Sequence, residues 1–216
     1  MTDMDINLLD LIYPPKCVHC GSLILNMKTP VALCENCQEL WIFEKRAGEN
    51  YLSFYDKNVY SIARSMVLRA KNSYSGTLYK FLAAEMSELI TSRIEIEGDT
   101  VIVNVPRSKK KKREAGVDQA ECLSKLIAKK LKIQYMNILV HKGNTQQKLL
   151  NAQERLMNVE DAYEIKNNVN VTGKNIILFD DVITTGATIN KCRELLLNAG
   201  ADSVTIFSIC RTKGEY

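Results

Sequence analysis

The chain has 216 residues, 46% hydrophobic and 25% charged, a balance that excludes disordered and fibrous classes. Its length accommodates one full domain and a small appendage, not two large enzymatic domains. The net charge of +4 is too mild to name a polyanionic partner from the total alone, and the seven cysteines are the composition's odd feature.

Residues 1–10 are acidic, with no basic flank ahead of an apolar segment, and no apolar run approaches the roughly 18 residues of a membrane helix. A cytoplasmic protein without a membrane span is therefore expected. Cys17 and Cys20, then Cys34 and Cys37, form two C-x-x-C pairs separated by 13 residues. Each pair can grip a tetrahedral ion while the intervening loop returns the second pair to face the first. Structural zinc is the favoured reading, against an iron–sulfur cluster or disulfides, which a cytosolic chain disfavours. A closed four-cysteine site leaves no position for substrate, so its role is to fold a segment too small for its own core, residues 1–45. Gly21 supplies the backbone freedom such a knuckle needs, and His19 reads as a solvated bystander. Cys122, Cys192 and Cys210 lack a C-x-x-C partner, fall in apolar patterns and read as buried thiols.

Residues 59–96 show helical apolar spacing interrupted near 72–76, which predicts two helices and a turn. Residues 101–105 form a short β-rich run stopped by Pro106. Beyond it lie six basic residues in the seven positions 107–113. Helical spacing returns over 119–131, residues 138–140 read as a second strand, and 141–160 as a long polar connection. Residues 176–179 read as a third strand, 190–197 as a helix closed by Gly200, and 204–209 as a fourth strand. Strands nearly continuous in Val, Ile and Leu, separated by helices, predict an α/β fold with a parallel sheet covered on both faces.

In an open parallel sheet, ligands bind where strands end and helices begin. The third strand runs into Asp180, Asp181, Val182, Ile183, Thr184, Thr185, Gly186, Ala187 and Thr188. Two carboxylates at a strand end can accept hydrogen bonds from vicinal hydroxyls. Threonine hydroxyls and backbone amides around a glycine at a helix start make a phosphate cradle. A diol plus a phosphate suits ribose 5-phosphate. Taken singly, the two acids read as loop residues and Thr-Thr-Gly as a helix cap; here they stand together behind four apolar residues. No G-x-x-x-x-G-K-[ST] sequence supports a P-loop hydrolase.

Residues 176–188 resemble, along their full length, the signature of type I phosphoribosyltransferases: an apolar strand, two acids, two variable residues and a Thr-rich turn with Gly. The resemblance implies that Asp180 and Asp181 hold the ribose hydroxyls of phosphoribosyl pyrophosphate (PRPP), accompanied by Mg, while residues 184–188 wrap its 5-phosphate. The basic run after the first strand then lies where a departing pyrophosphate needs charge, with Arg107 and Lys109 as candidates.

With the cysteine pairs included, nearly the whole chain resembles the ComF family of competence-associated, phosphoribosyltransferase-like proteins. Residues 147–163 are similar to that family's Q-x-x-L-x-x-x-x-R-x-x-N-V-x-x-A-F loop through Gln147, Leu150, Arg155, Asn158, Val159, Ala162 and Tyr163. Lys71 and Gly76 match its K-x-x-G turn loosely. Where the family carries R-G-F-N-Q, this chain has Ala115, Gly116, Val117, Asp118 and Gln119. The resemblance implies a zinc segment over 1–45 and a phosphoribosyltransferase-like domain over 46–216. It implies two functions. One is phosphoribosyl transfer from PRPP to a nitrogen nucleophile, with the loop bearing Gln147 and Arg155 closing over the site. The other is a non-catalytic PRPP- and single-stranded-DNA-binding role in DNA uptake, among partner proteins of the uptake machinery. No general base can be assigned; His141 reads as a surface residue at a strand end.

Overall fold

The computed structural model describes residues 14–24, 32–45, 49–56, 58–72, 75–108, 112–113, 117–142 and 162–212. The first cysteine pair sits on a knuckle closed by Cys17 N–H to Ser22 O at 2.8 Å and Gly21 N–H to Cys17 O at 3.0 Å. Gly21 takes φ 78°, a left-handed turn that costs glycine nothing. Helix α1 (Glu35–Glu44) begins directly after Cys34. Strand β1 (Tyr51–Tyr55) follows, and then α2 (Ile62–Asn72) and α3 (Gly76–Thr91), the two helices predicted from the spacing. Ser75 caps α3 by accepting from Leu78 N–H, and Leu78, Leu82, Met86 and Ile90 form its buried stripe.

Strand β2 (Thr100–Asn104), helix α4 (Gln119–Leu131) and strand β3 (Gln134–Tyr135) make one crossover unit. Strand β6 (Asn175–Ile183), helix α5 (Ala187–Asn198) and strand β7 (Ser203–Thr212) make another. Between the units lie β4 (Leu139–His141) and β5 (Tyr163–Ile165). Strands β1, β2, β3, β6 and β7 form a wholly parallel sheet in the order β1-β7-β6-β2-β3. Residues 138–140, expected as a sheet strand, instead supply a separate antiparallel hairpin in which His141 faces Tyr163. The edge strand β1 was not foreseen. Its sequence, Tyr-Leu-Ser-Phe-Tyr, is short and interrupted by serine, and it is defined by pairing with β7 at the far end of the chain.

Successive strand residues point to opposite faces. Ile102, Ile177 and Phe179 enter a core shared with α2, α3 and α4, whereas Val101, Val103, Ile176 and Leu178 face α5 and the hairpin. Cys17, Leu33, Cys37 and Trp41 belong to the first of these cores, so the cysteine segment packs into the body of the fold. Trp41 Nε1–H donates to Glu85 Oε2 on α3 at 2.8 Å, and Glu44 accepts the N–H groups of Ile62 and Ala63, capping α2 from the end of α1. Of the unpaired cysteines, Cys192 and Cys210 are buried as expected, while Cys122 is half-buried on α4. No described helix is long and apolar enough to cross a membrane.

Candidate functional site

From β2 the chain proceeds outward to β3, and from β6 in the opposite direction to β7, so the crevice between β2 and β6 is where strand order reverses. Ligands of open α/β sheets bind at this point, beyond the carboxyl ends of the strands. A cavity of about 690 Å³ opens there, lined by Arg107 and Pro106 after β2, by residues 180–186, and by Thr188.

Asp180 and Asp181 continue β6 past its apolar stretch. Asp180 Oδ1 accepts the Asp181 N–H at 2.9 Å, and Asp181 Oδ1 the Val182 N–H at 3.1 Å, so both carboxylates are held by their own backbone. Burial, with the Asp181 charge beside it, holds the Asp180 carboxyl well above the usual carboxylate range. Arg107 Nη2 donates to Asp181 Oδ2 at 2.6 Å across the crevice. Gly186, at φ 80°, forms the N-cap of α5, and Ala187 N–H donates to Thr185 Oγ1 at 3.4 Å. A Cβ at Gly186 would meet Asn190 Nδ2 at an ordinary 3.4 Å, so it is the left-handed backbone that disfavours any other residue there. Thr184 and Thr185 are exposed, and the α5 N-terminus offers the positive end of a helix dipole. The predicted residues from Asp180 to Thr188 are thus contiguous at one strand-to-helix turn, and all but Ala187 line the cavity.

The cavity also gathers residues the sequence did not assign. Tyr55 and Thr212 end β1 and β7, and Lys71 lies near the end of α2. The hairpin brings in His141 and Tyr163, their rings edge-to-face with centroids 4.9 Å apart. Burial pushes the Tyr163 phenol up to about 12, opposed by a hydrogen bond with Thr188. His141 is half-buried here, not on the outer surface, because β4 left the sheet to cover this edge. No local signal separates a strand that stays in a sheet from one that pairs outside it; Tyr163, at the end of the family-like loop pattern, and Lys71, in the loose K-x-x-G match, were visible beforehand without a place in the cavity. Lys109, Gln147, Arg155, Ala115 and Gly116 lie outside the described residues.

The second constellation is the cysteine cluster. The Sγ atoms of Cys17, Cys20, Cys34 and Cys37 all lie within 4.8 Å of one another, with Cys20 and Cys34 at 3.6 Å. Metal–sulfur bonds of about 2.3 Å in a tetrahedron put sulfurs about 3.8 Å apart, so the four thiols fit a metal ion. Burial raises the Cys34 and Cys37 thiols, whereas Ser22 draws Cys20 down to about 6. His19 is turned away from the cluster: its Nδ1 is 2.9 Å from Ser65 Oγ and its ring stacks at 4.7 Å on Tyr60, whose hydroxyl donates to His19 O. It docks the knuckle on α2, where the sequence suggested a bystander.

Known proteins resemble this chain. Residues 117–216 match the phosphoribosyl transferase domain family model. Competence protein ComFC of Bacillus subtilis is 30% identical over 84% of this chain and 73% of its own, and ComFC of Streptococcus pneumoniae 31% over 86% and 78%. The chain belongs to the ComF family. DNA utilization protein YhgH of Escherichia coli is 30% identical over 51% of this chain and 49% of its own. A solved adenine phosphoribosyltransferase covers 81% of this ComF-family chain and 88% of its own at 17% identity and a TM-score of 0.45, too distant a likeness to argue from. The ComF-type chain is therefore a phosphoribosyltransferase-like protein with a four-cysteine segment docked on its sheet-covering helices.

Proposed function

We propose that this ComF-type protein binds the magnesium complex of PRPP in the β2–β6 crevice. The observation that carries the reading is the union, in one cavity, of paired carboxylates, a threonine–glycine helix start and an arginine facing them. Asp180 and Asp181 accept the ribose hydroxyls, residues 184–188 take the 5-phosphate at the α5 N-terminus, and Arg107 meets the pyrophosphate. Arg107 already neutralises Asp181, so ligand entry exchanges one charge-assisted hydrogen bond for others at small cost. In turnover, a nitrogen nucleophile forms a bond to the ribose C1 as the C1–oxygen bond to pyrophosphate breaks. The electron pair leaves with pyrophosphate, and positioning with charge stabilisation supplies the catalysis. The test is release of pyrophosphate from PRPP and Mg with a panel of nucleobases and amines, set against Asp180→Ala. Release no greater than in that variant removes the transferase reading.

The four cysteines hold a structural zinc ion, supported by the fit of their spacing, and residues 1–45 and 46–216 divide into a metal-folded segment and a phosphoribosyltransferase-like domain. A second reading, a DNA-uptake role with single-stranded DNA bound but not modified, is favoured by the basic run at 107–113 and by the competence and DNA-utilization names of the relatives. Binding carried by phosphates loses affinity steeply with salt. A flat salt response, or affinity unchanged when Lys109 to Arg113 are neutralised, removes this reading.

A further inference from the structure

Lys71, the penultimate residue of α2, lines the cavity with Arg107 and Asp181. Its neighbour Ala70 lies in the last turn of α2, where a carbonyl has no intrahelical N–H partner among the described residues. Two buried side chains from other helices take that oxygen. Gln119 Nε2 on α4 donates to Ala70 O at 3.3 Å, and Tyr79 OH on α3 donates to it at 3.2 Å. Gln119 is only 1% exposed, and its Oε1 has no hydrogen-bond partner among the described residues. If volume alone were needed, an apolar side chain would fill the position without an unpaired buried oxygen. What the amide adds is its N–H donation to the helix end that launches Lys71.

The adjacent residue does the equivalent for the basic run. Asp118 caps α4 by accepting Glu121 N–H at 3.3 Å, and its Oδ2 lies 3.0 Å from Lys112 Nζ, which Glu121 Oε2 also approaches at 3.4 Å. The start of α4 thus holds both the end of α2 and Lys112 of the basic run.

We propose that Gln119 is a positioning residue: through the Ala70 carbonyl it sets where Lys71 enters the cavity, so that Lys71 meets the pyrophosphate group together with Arg107. This rests on reading the cavity as a PRPP site. Titration calorimetry with Mg-pyrophosphate and, separately, ribose 5-phosphate tests it on the full chain. Gln119→Met keeps the side chain's length and discards both the donor and the unpaired oxygen. It is expected to weaken pyrophosphate binding about three- to tenfold while ribose 5-phosphate affinity, set by residues 184–188, stays within about twofold. In a Lys71→Met background, Gln119→Met should add nothing, because its effect runs through Lys71. Tyr79→Phe, which removes the other donor to the same oxygen, should show the same split and serves if Gln119→Met does not fold. Equal losses for both ligands, an unchanged pyrophosphate affinity, or a full effect persisting without Lys71 overturns the proposal. Wild-type protein that binds ribose 5-phosphate but not pyrophosphate overturns it while leaving the phosphate end of the site standing. Wild-type protein that binds neither overturns both.

Discussion

Arg107 and Asp181, 74 positions apart in the chain, are joined by a 2.6 Å hydrogen-bonded ion pair that bridges β2 and β6 where strand order reverses. Both side chains are mostly shielded from solvent, and the pair holds a cation against an anion at the mouth proposed for the sugar phosphate. PRPP with Mg should raise the melting temperature, and Asp181→Asn, which keeps the shape but removes the anion, should abolish that rise. A ligand at a hundred times its Kd contributes about 2.7 kcal/mol, or about 5–10 °C for a chain of this size. A full rise in the variant would place the ligand elsewhere.

Asp180 carries a cost in the free protein. Its carboxyl is held above its ordinary range by burial and by Asp181, so the fold favours the protonated form more than the unfolded chain does. Stability is then fullest below the unfolded carboxylate pKa of about 4 and falls as pH rises through the window up to the folded value. Asp180→Asn retains the oxygen that accepts Asp181 N–H and removes the charge. The ligand-free variant should melt above wild type at pH 7–8, by about 2–4 °C per kcal/mol relieved, and the gap should close toward pH 4. A variant that melts lower at pH 8 contradicts this account.

Metal loss should be felt across the fold. Cys17 and Cys37 are buried in the same core as Met66, Leu82 and Phe179, and the sole tryptophan, Trp41, lies one helical turn beyond Cys37 with 2% exposure. Chelation should shift Trp41 emission to the red together with a large fall in melting temperature, in one transition. Metal analysis should find one zinc per chain. A chelated protein that keeps its melting temperature and its Trp41 emission would show that the segment folds without the ion.

His19 lies between Cys17 and Cys20 in sequence yet bonds Ser65 and packs on Tyr60. His19→Ala should leave zinc stoichiometry unchanged and cost about 1 kcal/mol of stability, the scale of one side-chain hydrogen bond. Substoichiometric zinc in the variant would instead make it a ligand.

Much of the site was legible because its chemistry is contiguous: Asp180 to Thr188 spans one strand end and one helix start, and Cys17, Cys20, Cys34 and Cys37 declare themselves by spacing. A strand–turn–helix unit and a C-x-x-C knuckle are local structures, whose backbone is set by a glycine, a cap and an apolar run. The residues left outside the site by the sequence have long-range causes. Tyr55 belongs to an edge strand defined by β7 more than 150 positions later, and His141 reached the cavity because β4 paired with β5 outside the sheet. Gln119 was visible in the sequence, but its bond to Ala70 was not.

By itself the amino-acid sequence determined an α/β fold, a four-thiol cluster and a carboxylate pair ahead of a phosphate-type turn, since each follows from periodicity or short spacing. Only the tertiary structure decided that Arg107 sits on Asp181, that the cysteine segment shares the main core, and that Lys71 stands at the cavity on a helix end held by Gln119 and Tyr79. Those depend on which strands become neighbours and which buried donors must find acceptors, and pairing over such distances leaves no mark on local residue patterns.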